Sequence, residues 1–242
     1  MHPSPISVRA AGSLRHALQA LIASGAWPAV DLTVGPAGLL RQAIERGAPC
    51  DLFLSANLEH PQALAAGAPV RRFARNRIVA LARPQLGLEP GNFLDVLLRD
   101  TTRIGTSTPG ADPGGDYAQA VFARADALRP GAGAMLRAKA LHLVGGEVAP
   151  DVPKGADPLR HFLTTGTADR CRSYHTTAKR LAADFAMVEL PAALAVVASY
   201  GLVVLAPPGP PHDAAERCAD VLLSAAGQAA LASCGFESPA AG

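Results

Sequence analysis

The sequence predicts an α/β protein made of two lobes. Three observations predict it. Short aliphatic, β-branched runs recur along the chain. Between them lie segments whose apolar residues repeat at helical spacing. Glycine, proline and asparagine or aspartate punctuate the joins, as expected of strands alternating with helices in parallel βαβ units. The 242 residues are enough for two buried cores.

In order along the chain, Ile6 to Ala10 reads as a strand, Gly12-Ser13 as a turn with Ser13 at the helix N-cap, and Leu14, Leu18, Leu21 and Ile22 as the apolar stripe of a helix. Val30 to Val34 is a second strand. Gly35-Pro36-Ala37-Gly38 is a loop, Leu39 to Arg46 a helix, and Asp51 to Ser55 a third strand. Arg77 to Ala82 is another strand. A second set follows: strand Arg103 to Thr106, loop Thr108 to Gly115, helix Tyr117 to Leu128, helix Leu159 to Thr165, and a short strand Cys171 to Tyr174. Lys179 to Leu181 reads as a polar link, then come strands Phe185 to Glu189 and Ser199 to Ala206. Pro207 to Pro211 reads as a stiff loop. Asp213 to Leu223 and Gly227 to Cys234 close the chain as helices, with Asp213 as N-cap. The lobes expected are residues 1–82 with 199–242, and residues 83–198, with a ligand cleft and a hinge where the chain crosses.

Composition excludes several classes. Charged residues are 17% of the chain and its net charge is +2, which supplies no electrostatic case for nucleic acid. The 49% hydrophobic content argues against disorder. No run of apolar residues is long enough for a membrane span. The opening residues have neither a basic n-region nor an apolar h-region, so no signal peptide is expected in this chain. A cytoplasmic chain and one whose leader was removed both fit. Cys50, Cys171, Cys218 and Cys234 include no Cys-x-x-Cys pair, so each reads first as a small buried residue. A disulfide between Cys218 and Cys234 is open on sequence alone.

Four stretches carry a resemblance. They are Val8-Arg9-Ala10-Ala11-Gly12-Ser13-Leu14, the block RQAIERGAPCDLFLSAN from Arg41 to Asn57, Pro113-Gly114-Gly115-Asp116-Tyr117-Ala118, and Gly227-Gln228-Ala229-Ala230 with Cys234-Gly235-Phe236. Together they resemble the periplasmic molybdate-binding proteins of ABC importers over nearly the whole chain, least from Pro130 to Gly155. The resemblance implies a type II periplasmic-binding-protein fold. It also implies an oxyanion held in the interlobe cleft by hydroxyls and backbone N–H groups, with no metal and no cofactor. Helix N-termini suit that task, because their first amides lack intrahelical partners and carry a partial positive charge.

Position by position, the resemblance implies that Gly12 and Ser13 supply an amide and a hydroxyl. Ala37 stands where the family has a second serine, so only a backbone N–H from Ala37 or Gly38 remains there. Gly114 and Ala156 match backbone donors, and Tyr174 matches a tyrosine whose hydroxyl reaches the anion. The chain departs from the family at Arg170-Cys171-Arg172-Ser173-Tyr174-His175. Period two puts Arg170, Arg172 and Tyr174 on one face of a strand. Arg172 is then either a ligand for a carboxylate or oxyanion or a solvated surface residue. Arg9 points to the cleft or pairs with a buried acid.

The function expected is therefore the solute-binding component of an ABC importer. It would be a periplasmic monomer whose partners are molybdate, tungstate or a similar oxyanion and an inner-membrane permease. Alternatives are another oxyanion or a small organic carboxylate as ligand, or a stand-alone cytoplasmic anion sensor. An enzyme is not expected. Ser13, His16 and His175 have no orienting aspartate or nucleophile elbow, Cys171 with His175 is a weak pair, and the seven histidines form no metal-ligand cluster.

Overall fold

The computed structural model describes residues 5–146 and 149–239. The reading that the chain lacks a leader turns partly on residues 1–4, which lie outside this range. The chain divides into two compact units, Met1–Asn76 with Ala198–Gly242 and Arg77–Val197. The expected divisions were after residues 82 and 198.

The elements in chain order are β1 (Ile6–Ala11), α1 (Arg15–Ala23), β2 (Val30–Gly35), α2 (Ala37–Glu45), β3 (Leu52–Ser55), α3 (Glu59–Leu64) and β4 (Arg71–Ala82). Then come α4 (Phe93–Leu98), β5 (Ile104–Ser107), α5 (Pro113–Leu128), α6 (Ala132–Lys139), β6 (Ala140–Val144), α7 (Pro158–Thr164), β7 (Arg170–Tyr174), α8 (His175–Leu181) and β8 (Ala186–Glu189). The chain ends with β9 (Val197–Val204), α9 (Pro210–Leu223) and α10 (Ala225–Ser233). It passes from the first unit to the second within β4 and returns at the start of β9.

In unit one, β1 lies between β2 and β3 and is parallel to both, as βαβ connections require. The returning β9 adds antiparallel to β3, with Leu52 opposite Val204 and Ser55 opposite Gly201. Val8, Ala10, Leu14, Leu18, Leu52, Phe53, Leu54 and Leu202 are sealed from solvent. Tyr200 is buried edge-on to Phe73 (6.0 Å) and Phe236 (5.3 Å), a geometry that suits aromatic quadrupoles.

In unit two, β5 pairs parallel with β6 and β7, while β4 runs antiparallel to β7 and β8. The sheet is thus mixed, not purely parallel. β7 is buried along its whole length. Cys171 faces a core with Val79, Leu81, Phe162, Leu163 and Leu181, while Arg170 and Arg172 face a pocket with Phe93 and Phe122. Arginine thus occupies a face that burial would ordinarily reserve for apolar side chains.

Several local expectations need correction. α9 starts at Pro210 with Gly209 at its N-cap, so Asp213 is a first-turn residue. Pro210 and Pro211 fit because first-turn amides have no partner to lose. Lys179 to Leu181 ends a helix and is not a link. The loop after β5 stops at Asp112, whose carboxylate caps α5 through the Gly114 amide. Ser13 caps no helix, because a 3₁₀ turn over Gly12–Leu14 leads into α1 without a side-chain cap. The sequence reading missed α3, α4, α6 and β6, which are five to eight residues long. All four cysteines are free, Cys218 and Cys234 included.

Candidate functional site

In unit one the register of two strands brings the expected donors together. Ala11 and Gly35 are paired residues at the C-terminal ends of β1 and β2. Gly12-Ser13 and Ala37-Gly38 follow directly, and a Cβ on Gly12 would lie 4.0 Å from the Gly35 carbonyl oxygen. Loops beyond the carboxyl ends of such strands are where open α/β sheets bind ligands. α2 spans nine residues and has Pro36 at its N-cap, with no side-chain cap. Proline has no side-chain acceptor to offer, so the N-cap residue leaves the first-turn amides free of a side-chain cap.

The Ser13 hydroxyl is half-buried and lies 2.7 Å from the Tyr200 hydroxyl. Asn76 Nδ2 also donates to Tyr200, at 3.4 Å. Tyr200 therefore orients the serine, and the sequence reading missed it. The available signal was a lone phenol inside an otherwise aliphatic strand. Ala37 is buried with 1% exposure, so this segment can offer an amide but no hydroxyl. Arg9 donates from Nε to the Pro49 carbonyl at 2.8 Å, and no acid pairs with it among the described residues.

In unit two Arg172 is 7% exposed, which removes the solvated-surface reading. Its Nη2 donates to Ser107 Oγ at 3.1 Å. Its Cζ stands 4.6 Å from the centre of the Tyr174 ring, a cation–π distance. Tyr174 meets Tyr117 edge-on at 6.5 Å. Ser107 and Tyr174 end β5 and β7, which are parallel neighbours, so a hydroxyl, a phenol and a guanidinium gather at that edge. Ser107 was missed; as the last residue of a strand before a Pro/Gly-rich loop it could have been marked.

The expected backbone donors of unit two behave differently. The Gly114 amide donates to Asp112 Oδ1 at 2.9 Å, and the Ala156 amide donates to the Pro153 carbonyl at 2.9 Å. Both N–H groups already have internal acceptors. Ala156 does not start α7; Asp157 caps that helix by accepting from Leu159 and Arg160. Gly114 is instead the seat of Arg172, because a Cβ there would lie 2.5 Å from the guanidinium carbon.

The thiol considered as a nucleophile reads otherwise. Burial pushes the Cys171 thiol up to about 12, so it is protonated near neutral pH. Among the described residues no cluster of three or more His, Cys, Asp or Glu could hold a metal ion.

Each unit is an α/β layer with polar groups at the ends of its strands: a hydroxyl and free helix amides in unit one, and a hydroxyl, a phenol and a buried guanidinium in unit two. The comparisons give the family. Bacterial extracellular solute-binding proteins match residues 6–237, and the chain belongs to that family. An uncharacterized protein of Pasteurella multocida (strain Pm70) is 35% identical over 239 residues, covering 95% of this chain and 97% of that one. The periplasmic molybdate-binding protein of Azotobacter vinelandii has the same fold, with a TM-score of 0.72, 18% identity, and coverage of 97% of this chain and 100% of that chain. The sulfate-binding protein SubI of Mycobacterium tuberculosis H37Rv has a TM-score of 0.72, 17% identity, and coverage of 98% and 87%. The fold is therefore the periplasmic-binding-protein fold, and by family the protein is a bacterial extracellular solute-binding protein. No helix among the described residues is long and apolar enough to cross a membrane.

Proposed function

We propose that this protein delivers a small oxyanion to an ABC permease from the periplasm, and that molybdate or tungstate is the first candidate cargo. The observation that carries the reading is the pairing of Ala11 with Gly35, which brings the Gly12-Ser13 segment and the uncapped first turn of α2 to the same end of the sheet. Donors of this kind suit a fully deprotonated dianion. A protonated phosphate also needs an acceptor, so a donor-only site disfavours it. The sequence motifs around Ser13 and from Arg41 to Asn57 support the choice of anion; the likeness of fold is equal for a molybdate-binding and a sulfate-binding protein and supports an oxyanion in general. The cargo is bound and released unchanged, and neither metal nor cofactor is needed to hold it.

A second reading is favoured by one specific observation. Arg172 is a buried cation, and the amides of Gly114 and Ala156 are already spent on internal acceptors. A guanidinium recognises the paired oxygens of a carboxylate or phosphate. That supports a small organic acid or phosphate ester as cargo.

Titration calorimetry with molybdate, tungstate, sulfate, phosphate and small carboxylates, in the presence of a metal chelator, separates the readings. Saturable binding of molybdate or tungstate in preference to sulfate and phosphate is expected. A preference for an organic anion selects the second reading. Binding of a neutral solute with no response to any anion overturns both.

A further inference from the structure

We propose that unit two holds a second, internal anion site beneath α5, shaped for a single halide ion held by Arg170 and Arg172. The site goes beyond the oxyanion reading and does not rest on it; it shares Arg172 with the organic-acid reading and differs from it in requiring Arg170.

The geometry starts from charge accounting. Five acids of unit two pair with other arginines: Asp169 with Arg103 and Arg83, Asp95 with Arg129, Asp184 with Arg160, Asp157 with Arg180, and Glu189 with Arg77. Arg170 and Arg172, the two buried arginines, have no such partner among the described residues. Arg170 is 3% exposed and Arg172 is 7% exposed. Buried charge is tolerated when it is paired and hydrogen-bonded. Here Arg170 Nε and Arg172 Nε and Nη1 are fully enclosed and meet no acceptor. The nearby rings only soften the cost. Arg170 Cζ stands 5.9 Å from the centre of Phe93, and Arg172 Cζ stands over Tyr174. Neither ring cancels a whole charge.

Both guanidiniums line one pocket, whose walls are completed by Ile78, Phe93, Val121, Phe122 and Leu190. It has room for about one water-sized particle. That size favours a monatomic ion or a water over a tetrahedral oxyanion or an organic acid. The chemistry of the lining then chooses between water and a monatomic anion. The lining side chains offer donors and no acceptor, so a water could accept from an arginine but would find no side-chain partner for its own two hydrogens. A halide only accepts. Burial pulls the Arg170 guanidinium down to about 10, and repulsion from Arg172 adds to this. It therefore stays charged near neutral pH, and an anion between like charges relieves both costs.

The test uses the full chain with sodium bromide or chloride against sodium gluconate at fixed ionic strength. Thermal unfolding should rise by on the order of 3 °C once halide exceeds its dissociation constant about tenfold, and Arg170→Met should abolish that rise. Crystals soaked in bromide should show an anomalous peak within hydrogen-bonding distance of Arg170 Nε and Arg172, and it should persist when cargo is bound. If Arg170→Met fails to fold, the bromide peak in the unaltered protein decides. A pocket without a peak, a halide response that survives Arg170→Met, or a peak displaced by cargo overturns the proposal. The last of these outcomes would assign the pocket to the cargo while leaving the cargo reading intact.

Discussion

Gly114 and Arg172 are fitted to each other. A Cβ on Gly114 would overlap Arg172 Nη2 and come within 3.0 Å of Ser107 Oγ. The glycine at the start of α5 thus makes room for a guanidinium rather than for a bend of the chain. Gly114→Ala is predicted to displace Arg172 from Ser107, to cost about 1–3 kcal/mol of stability as an overpacked site does, and to weaken anion affinity. Gly115→Ala supplies the contrast. Its Cβ would strike the Pro109 and Thr108 backbone, so it should cost more stability than Gly114→Ala and less affinity per folded molecule. Urea unfolding and calorimetry on both variants check this. An unchanged affinity in Gly114→Ala would separate Arg172 from the cargo.

The 2.7 Å contact between the Ser13 and Tyr200 hydroxyls makes a second prediction. Tyr200 is fully buried, so Tyr200→Phe removes a hydrogen bond from an enclosed site and should cost about 1 kcal/mol of stability. Ser13→Ala should lower anion affinity about tenfold with a smaller effect on folding. If Tyr200 acts by orienting Ser13, the double variant should lose less affinity than the two single losses combined. Additive losses would show that Tyr200 acts independently.

How far the site was legible in the sequence follows from which interactions are local. Strands β1, β2 and β3 and helix α2 were readable because alternation, helical periodicity and Gly/Pro breaks are set by neighbours along the chain. The Gly12-Ser13 and Ala37-Gly38 segments came from the same local patterns, together with the family motif. Tyr200 was not readable as a partner of Ser13, because 187 positions separate them and only the antiparallel return of β9 brings them together. The occupied amides of Gly114 and Ala156 were hidden for a different reason. Asp112 and Pro153 sit within a turn of them, but whether such a neighbour caps an amide depends on backbone angles that periodicity does not report. Short helices such as α3 and α4, six residues each, carry too few turns for a stripe to stand out. Burial of Arg170 and Arg172 contradicts the usual surface preference of arginine, so composition pointed the wrong way.

Asp169 gives a pH-dependent prediction. Its carboxylate accepts from Arg103 Nε at 3.1 Å, Arg103 Nη2 at 2.8 Å and the Arg103 amide at 2.9 Å. The hydrogen bond from Arg103 is the largest influence and holds the carboxyl below its ordinary value of 3.8, although partial burial opposes it. A depressed acid contributes stability that is complete above its unfolded value and disappears as pH falls through the folded one. The urea midpoint should therefore hold above about pH 5 and fall progressively below pH 4. Asp169→Asn should flatten part of that fall. An identical acid profile for Asp169→Asn would show that the Arg103 contacts carry no net stability.

The thiols differ by burial. Desolvation pushes Cys171 and Cys50 up to about 12 and Cys218 up to about 11, so almost no thiolate forms at pH 8. Cys171 and Cys218 are buried, while Cys50 and Cys234 are both partly exposed, and all four are free. A thiol reagent at pH 8 should modify Cys234 first in the folded protein, and all four cysteines only after unfolding. Fast modification of Cys171 in the folded state would mean that β7 opens to solvent far more readily than its complete burial implies.

Replacing the guanidinium while keeping its charge separates the two cargo readings. Arg172→Lys preserves a cation on β7 but removes the planar fork and the contact of Nη2 with Ser107. A carboxylate or phosphate ester depends on paired, parallel donors, so its affinity should fall about tenfold or more. A tetrahedral oxyanion held by the Ser13 hydroxyl and the first amides of α2 does not need the fork, so its affinity should change little in Arg172→Lys or Arg172→Met. Calorimetry with molybdate and with the best-bound organic anion, on the same three proteins, distinguishes the cases. If both ligands are indifferent to both substitutions, Arg172 serves the interior of unit two and not the cargo.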